Sequence, residues 1–148
     1  GLREGTGLTK SFWRTTGLKL LSQEDFAVLN WLCLVNKNGS DRDFNSTLSD
    51  NKKAFATWLA NASTYNMAYM LSAELAAFVL NVGHGFYTPE TLIPTPGTGQ
   101  AYLRADELIG VANALLCADS VTKSRDPNCP IQEAYKNALN KANGNARR

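Results

Sequence analysis

One stretch, residues 64–82, constrains the fold of this chain more than any other. Its apolar residues recur at the three- and four-residue spacing of a helix: Met67, Met70, Leu71, Leu75, Phe78, Val79 and Val82. The opposite side is filled by alanines, Tyr69 and Leu80, and Glu74 is the only formal charge. A helix that is apolar nearly all round is buried, with other helices packed on several sides. The sequence therefore predicts a central buried helix.

Polar residues inside this stretch argue against a membrane span. About 19 residues could just cross a bilayer. However, the stretch also contains Asn66, Ser72, Glu74 and Asn81, which favour the core of a folded domain. We therefore expect no membrane-spanning segment.

Helix signals elsewhere predict an all-α fold. Ser22-Gln-Glu-Asp25 resembles a capping box, and Pro130 is placed to open a last helix that stops at Gly144. Two short β-prone runs, 91–93 and 101–103, could form one small hairpin. We predict a single-domain bundle of about five helices over residues 22–148.

Residues 1–21 show no periodicity and are interpreted as an extended N-terminal arm. Their anchors are predicted to be Leu8, Phe12, Trp13 and Leu18. This is too much apolar surface to leave in water, at about 25 cal/mol per Å². The arm either folds back on its own domain or packs on another copy of the chain.

Three cysteines allow one disulfide and leave one thiol. Cys117 is placed at the end of one helix, and Cys129 immediately precedes the start of the next. If those helices are antiparallel neighbours, the two thiols converge, so we favour a Cys117–Cys129 bond. Cys33 would then be a free thiol or an intermolecular one. A disulfide would indicate an oxidising compartment.

Charge and composition exclude some classes of function. The net charge is +2, and the basic residues are scattered except at the two ends, unlike the basic stripe of a nucleic-acid-binding protein. Abundant amide and hydroxyl residues suit an extracellular surface. The chain begins at Gly1, which leads us to expect a processed or excised piece of a secreted protein.

The sequence offers little catalytic chemistry. His84, the only histidine, is flanked by glycines, and no nucleophile motif accompanies it. The cysteines lack the paired spacing of a zinc site, and the polar loop 36–48 lacks the ligand spacing of a calcium loop. We predict no catalytic, metal or cofactor-binding residue. A hydrolase that uses His84 is the third of three functional hypotheses.

Aromatic residues supply the second hypothesis, a carbohydrate-binding module. Trp31, Trp58, Tyr65 and Tyr69 could line a sugar-binding face, although aromatics at helical spacing are typical of a core. Glycans are also predicted on the protein itself, since three acceptor sequons begin at Asn38, Asn45 and Asn61.

Several motifs resemble an uncharacterised family of secreted bacterial cell-surface domains. The main one is Asn66-Met-Ala-Tyr-Met-Leu-Ser-Ala-Glu-Leu-Ala-Ala-Phe-Val-Leu-Asn-Val82, and others are the segments 32–36, 112–119, 126–128 and 132–139. The likeness covers most of residues 22–143. It implies the fold and an extracellular compartment but no reaction. Cys33 and Cys117 both lie in family-like motifs, which makes their pairing the alternative disulfide.

Both ends of the chain depart from the family pattern. The opening motif keeps only Phe12-Trp13, and the closing run of asparagines shrinks to Asn143-Gly-Asn145. Altered ends are where new contacts would be built, so we favour an arm that packs on another copy. The first hypothesis is therefore a secreted, non-enzymatic structural module that self-associates into an extracellular filament or surface layer.

Overall fold

The computed structural model describes residues 8–63 and 65–147, and helices dominate them. In chain order the elements are α1 (Lys10–Trp13), α2 (Gln23–Asn30), α3 (Leu48–Ala60), α4 (Met67–Gly83), β1 (Leu92–Pro94), β2 (Tyr102–Arg104), α5 (Ala105–Ala118) and α6 (Cys129–Asn145). A 3₁₀ turn, Thr16–Leu20, follows α1. The predicted all-α bundle with one short hairpin is confirmed.

Helix α4 is the buried centre of the bundle. Of its 17 residues, 14 are buried, and α6 and α5 pack against it. The Asn66 side chain caps its start by accepting a hydrogen bond from the Ala68 amide. Within the two described ranges, no helix combines the length and the apolar character needed to cross a membrane.

The hairpin is antiparallel and covers one edge of the bundle. Ile93 pairs with Leu103 and is buried, while Leu92 and Tyr102 face outward. Alternation of buried and exposed residues is the ordinary pattern of a strand with one face on a core.

Local signals place the start of α2 well but not its end. Ser22 and Asp25 form the predicted capping box. The helix ends at Asn30 rather than near Asn36, because the backbone that follows is held by other elements. Trp58 of α3 donates its indole N–H to the Val35 carbonyl at 3.0 Å.

The N-terminal segment is not an extended arm over the residues described. Residues 8–21 form α1 and the 3₁₀ turn, and they pack into the chain's own core. Leu8 and Trp13 are fully buried, and Phe12 and Leu18 are partly buried against the same cluster. These four predicted anchors therefore complete their own domain. Residues 1–7 lie outside the described part.

Hydrogen bonds explain why this segment belongs to the core. The Trp13 indole donates to Asn81 Oδ1 at 3.0 Å, and Asn81 Nδ2 donates to the Leu8 carbonyl at 2.9 Å. Asn81 lies on the central helix and is fully buried. A buried amide without such partners would destabilise the fold, so Asn81 and the segment need each other.

The predicted Cys117–Cys129 bond is wrong, because Cys117 pairs with Cys33, at a Cα–Cα distance of 5.2 Å. The chain after α5 does not turn directly into α6. Instead it crosses the start of α4, where the Met67 amide donates to the Thr122 carbonyl at 2.9 Å. The Cys33 amide donates to Asn113 Oδ1 of α5 at 2.7 Å, which holds Cys33 beside Cys117. Cys129 is the free thiol. A single disulfide, as predicted, is present.

One buried carboxylate organises the middle of the bundle. Glu74 of α4 accepts from Asn143 at 3.0 Å and from Asn140 at 2.9 Å, both on α6. The Lys10 ammonium of α1 lies 3.3 Å from the same carboxylate. Asn143 in turn accepts from Asn81. The N-terminal segment, α4 and α6 are thus joined by one polar network, called here the Glu74 network.

Candidate functional site

Residues 34–42 form a short loop, called here the cleft loop. Its two sides are hydrogen-bonded to each other, and its base is hydrogen-bonded to α4. The Val35 amide donates to the buried Ser72 hydroxyl of α4 at 3.0 Å. The Arg42 amide donates to the Leu34 carbonyl, and the Asn36 amide to the Ser40 carbonyl, both at 2.8 Å. The cleft loop therefore presents its tip and side chains from a rigid base.

Gly39 makes the tip of this loop possible. Its φ of +88° lies in the left-handed region, which glycine adopts at little cost. A Cβ at this position would also collide with the Val121 side chain and approach the Ser120 carbonyl within 3.1 Å. The tip thus packs directly on the segment between α5 and α6.

Two open clefts flank the cleft loop, with volumes of about 830 and 900 Å³. They share Asn36, Lys37 and Arg42 as lining residues. The first is completed by Lys53, Ala54, Thr57, Trp58, Asn61, Ser63 and Tyr69, and the second by Asn38, Ser40, Tyr65, Val121 and Lys123. The two clefts adjoin across these three shared residues, and together they are called here the basic cleft.

The charge of this surface has one sign. Four cations line it, Lys37, Arg42, Lys53 and Lys123, and no aspartate or glutamate of the described residues does. None of the four takes part in a salt bridge with residues 8–63 or 65–147. A concave surface lined by one sign of charge concentrates ions of the other sign.

The Tyr65 ring contacts two of these cations. The Lys37 ammonium lies 4.7 Å from the centre of its ring, and the Lys123 ammonium lies 5.0 Å from it. Lys123 also approaches the phenol oxygen at 3.4 Å. Cation–π attraction at an exposed site contributes about 0.5–1 kcal/mol. Tyr65 thus holds two like charges close together at the mouth of the cleft.

Arg42 stands where the two halves of the cleft meet. Its guanidinium lies over the Phe44 ring, 4.7 Å from the ring centre, and its Nη2 donates to the Asp43 carbonyl at 3.0 Å. Its Nε is buried and has no hydrogen-bond partner in the described part of the chain. Burial raises the pKa of the neighbouring Tyr69, and the positive charge of Arg42 partly opposes that shift.

The predicted sugar-face aromatics do not share one surface. Trp58 and Tyr69 are core residues whose edges reach the cleft, and Tyr65 stands at its mouth with 56% of its surface exposed. Trp31 is 87% exposed at the end of α2 and does not line the cleft. The four aromatics therefore do not form the exposed row that the sequence suggested.

The three sequon asparagines are all exposed, and two of them border the basic cleft. Asn38 lines one half and Asn61 the other. Asn45 lies elsewhere, with its Oδ1 accepting from Asn30 at 2.9 Å. Glycosylation at these positions stays a prediction.

His84 forms a pair with a residue that the sequence did not indicate. Its Nε2 lies 3.1 Å from both carboxylate oxygens of Asp25, and its ring stacks on Phe86. Ser22 is bonded to the same carboxylate, at 3.4 Å, rather than to the imidazole. In the described ranges no hydroxyl or thiol is bonded to His84, so the geometry gives the hydrolase hypothesis no nucleophile.

Two further observations bear on chemistry. Among the residues described, no three His, Cys, Asp or Glu side chains are grouped to hold a metal ion. The four cations of the basic cleft come from the cleft loop, α3 and the segment after α5, so no local motif could have revealed them.

In comparisons with known proteins, no family model, curated protein or solved structure matched this chain.

Proposed function

We propose that this chain is a secreted, non-enzymatic binding module and that the basic cleft binds the anionic groups of an extracellular polymer. One observation carries the proposal: four cations line a concave surface to which no carboxylate within residues 8–63 and 65–147 contributes. The proposal sharpens the carbohydrate-binding hypothesis by placing charge, rather than a row of aromatics, at the centre of recognition.

The electrostatics of the site favour an anion. Two ammonium groups beside the Tyr65 ring repel each other, and in the described part of the chain no carboxylate is paired with them. A bound anion removes that repulsion. Because the cleft is open to solvent, salt screens the attraction over about 8–10 Å, so binding should weaken as ionic strength rises.

The disulfide supports the proposed compartment. Disulfides persist in oxidising surroundings and are rare in the cytosol of most organisms. The Cys33–Cys117 bond joins the chain directly before the cleft loop to the end of α5. An extracellular binding site benefits from such an anchor because its loop stays ordered without a ligand.

Binding of inorganic polyphosphate at low ionic strength tests the proposal, since this polymer offers charge without any other recognition group. We expect the double variant Lys37→Glu, Lys123→Glu to lose at least about ten-fold in affinity, or roughly 1.4 kcal/mol. Lys19→Glu with Lys141→Glu, which reverses two exposed charges outside the cleft, is the matched control. No binding by the natural protein, or an equal loss in the control, would refute the proposal.

Self-association is a second candidate, favoured by a separate observation. Trp31 is 87% exposed, and Val28, one helical turn earlier, is 52% exposed. Large aromatic side chains are frequent centres of protein–protein interfaces. We propose that this pair, rather than the N-terminal segment, forms the contact between copies in an extracellular assembly.

Sedimentation velocity over a concentration series tests this second candidate. We expect the natural protein to form oligomers and Trp31→Ser to remain a monomer, because the substitution removes the largest exposed apolar side chain. Tyr102→Ser, a similarly exposed aromatic on the hairpin, is the control. A natural protein that stays monomeric at its highest soluble concentration excludes self-association through Trp31.

A further inference from the structure

We infer that the polymer held in the basic cleft is an acidic saccharide, a sugar chain that carries carboxylate or sulfate groups. This inference rests on the proposed function and names the ligand class of the same site. It follows from the neutral residues that line the cleft, from the burial or cation contacts of its aromatic rings, and from the orientation of the Arg42 guanidinium.

The neutral part of the lining is suited to hydroxyl groups. Between its cations the cleft presents six amide or hydroxyl side chains: Asn36, Asn38, Ser40, Thr57, Asn61 and Ser63. Amides and hydroxyls both donate and accept hydrogen bonds, as sugar hydroxyls do. Anionic oxygens alone could accept hydrogen bonds from these groups but could not donate to their oxygens, whereas sugar hydroxyls do both.

Several of these polar groups are free to bind a ligand. Within residues 8–63 and 65–147, the side chains of Thr57, Asn61 and Ser63 make no hydrogen bond to protein. By contrast, Asn36 Nδ2 already donates to Ser40 Oγ at 3.1 Å, and Asn38 Oδ1 accepts from the Ser40 amide. The α3 side of the cleft therefore supplies the unused partners.

The aromatic rings argue against a nucleic acid. Single-stranded nucleic acids bind by stacking bases on open aromatic faces, at about 1–3 kcal/mol per base. Two lysine ammonium groups lie over the Tyr65 ring, at 4.7 and 5.0 Å from its centre. Trp58 and Tyr69 are both about 96% buried, with 4% of each exposed. The cleft thus lacks an open stacking platform among its described residues.

Arg42 gives the site a directional anion contact. Its planar guanidinium is oriented by the Phe44 ring below it and by the Asp43 carbonyl. A guanidinium in a fixed plane can donate two parallel hydrogen bonds to a carboxylate or sulfate group. Its position in both halves of the cleft places this anion contact between the lysines at the mouth and the free hydroxyls of Thr57 and Ser63.

Calorimetric titration with four polymers at equal charge concentration tests the inference, using protein produced without N-glycosylation. The saccharides are polygalacturonate and dextran sulfate; poly-glutamate and polyphosphate carry charge without sugar hydroxyls. We expect at least one saccharide to bind about ten-fold tighter than both non-saccharides. Which saccharide does so identifies carboxylate or sulfate as the anionic group.

Two variants separate saccharide recognition from charge. Thr57→Val with Ser63→Ala keeps every charge and should lower saccharide affinity by about five-fold, a larger factor than the loss for polyphosphate, whose oxygens can only accept from these hydroxyls. Arg42→Lys keeps the charge but loses the planar guanidinium with its two parallel donors. It should also lower saccharide affinity by about five-fold.

The outcomes distinguish the inference from the function on which it rests. If all four polymers bind equally and the hydroxyl variant is unaffected, the saccharide inference is wrong and anion binding stands. If none of the four binds, the proposed function itself is wrong.

Discussion

Within the described residues, the Glu74 network and the basic cleft are two clusters of charged and amide side chains that differ in how their charges are partnered. In the Glu74 network a carboxylate with only 2% of its side chain exposed is matched by Lys10, Asn140 and Asn143. In the basic cleft four cations have no carboxylate partner among the residues described. The Glu74 carboxylate in the interior therefore has partners on two other helices, whereas the cations of the open cleft lack a carboxylate partner within the described ranges.

This difference has a physical basis. An unpartnered charge in the interior costs several kcal/mol, so a fold can keep Glu74 only with a complete set of donors. At the surface the same imbalance costs little, because water and salt screen it. Unpaired charge at the surface therefore survives easily and is available for binding. We therefore expect mutations in the Glu74 network to lower stability, and mutations in the basic cleft to lower ligand affinity with little effect on stability.

The largest expected effect on stability comes from the disulfide that anchors the cleft loop. Cys33→Ser with Cys117→Ser opens a loop of 84 residues. The loop-entropy model predicts a loss of about 4.5 kcal/mol in the free energy of unfolding. Urea denaturation measures it. Cys129→Ser, which removes the free thiol, should change stability little; a comparable loss there would contradict the pairing.

The Glu74 network should respond nearly as strongly. Glu74→Ala leaves Lys10 and two asparagine amides without their shared acceptor in the interior. Breaking a buried pair in this way costs about 3–5 kcal/mol. Thermal or urea denaturation against Glu133→Ala, an exposed carboxylate on α6, measures the difference. Equal stability of the two variants would show that the network is dispensable.

Removal of the half-buried Tyr87 hydroxyl should have an intermediate effect on stability. Tyr87 donates to the Ala142 carbonyl at 2.7 Å, and Tyr87→Phe should cost about 0.5–1.5 kcal/mol at neutral pH. Burial raises the pKa of Tyr87 above its usual value of 10.0, and Arg147 opposes the shift.

This raised pKa gives the stability a pH dependence of defined sign. Above pH 10.0 the unfolded chain releases the tyrosine proton before the folded chain does, so stability present below that pH is lost as pH rises. Tyr87→Phe should show a shallower decline between neutral and alkaline pH. The comparison belongs in a Cys129→Ser background, because burial also raises the pKa of that thiol. Parallel pH profiles would contradict the assignment.

The basic cleft should show the smallest effect on stability and the largest on binding. Lys37→Gln with Lys123→Gln removes two cation–π contacts with Tyr65 but also relieves repulsion between two like charges. We expect the free energy of unfolding to change by less than about 1 kcal/mol. A larger loss would show that these lysines serve the fold, which would weaken the contrast between the two regions.

Local sequence determined much of the architecture. The apolar run around Leu75 required a buried helix, since no partly exposed helix could present apolar residues on every side. Ser22 and Asp25 set the start of α2 by bonding to each other's backbone. These features depend on residues within a few positions of one another, where geometry follows from spacing alone.

Tertiary structure decided the features that join distant residues. Cysteine spacing pointed to Cys129 as the partner of Cys117, but the fold places Cys33 there, with its amide bonded to Asn113 of α5. Trp13 could have served another copy, but the fold buries it through Asn81, 68 residues away.

The basic cleft shows most clearly that local sequence does not determine which distant residues meet. Lys37, Arg42, Lys53 and Lys123 look scattered in a sequence of net charge +2, and each alone resembles an ordinary surface residue. They converge because the cleft loop is fixed to α4 and because its tip, at Gly39, packs on the segment after α5. The sequence by itself determined that the chain builds a bundle around one buried helix, because burial follows local pattern. Only the fold decided where its charges meet, because the distance between remote residues depends on how every helix packs.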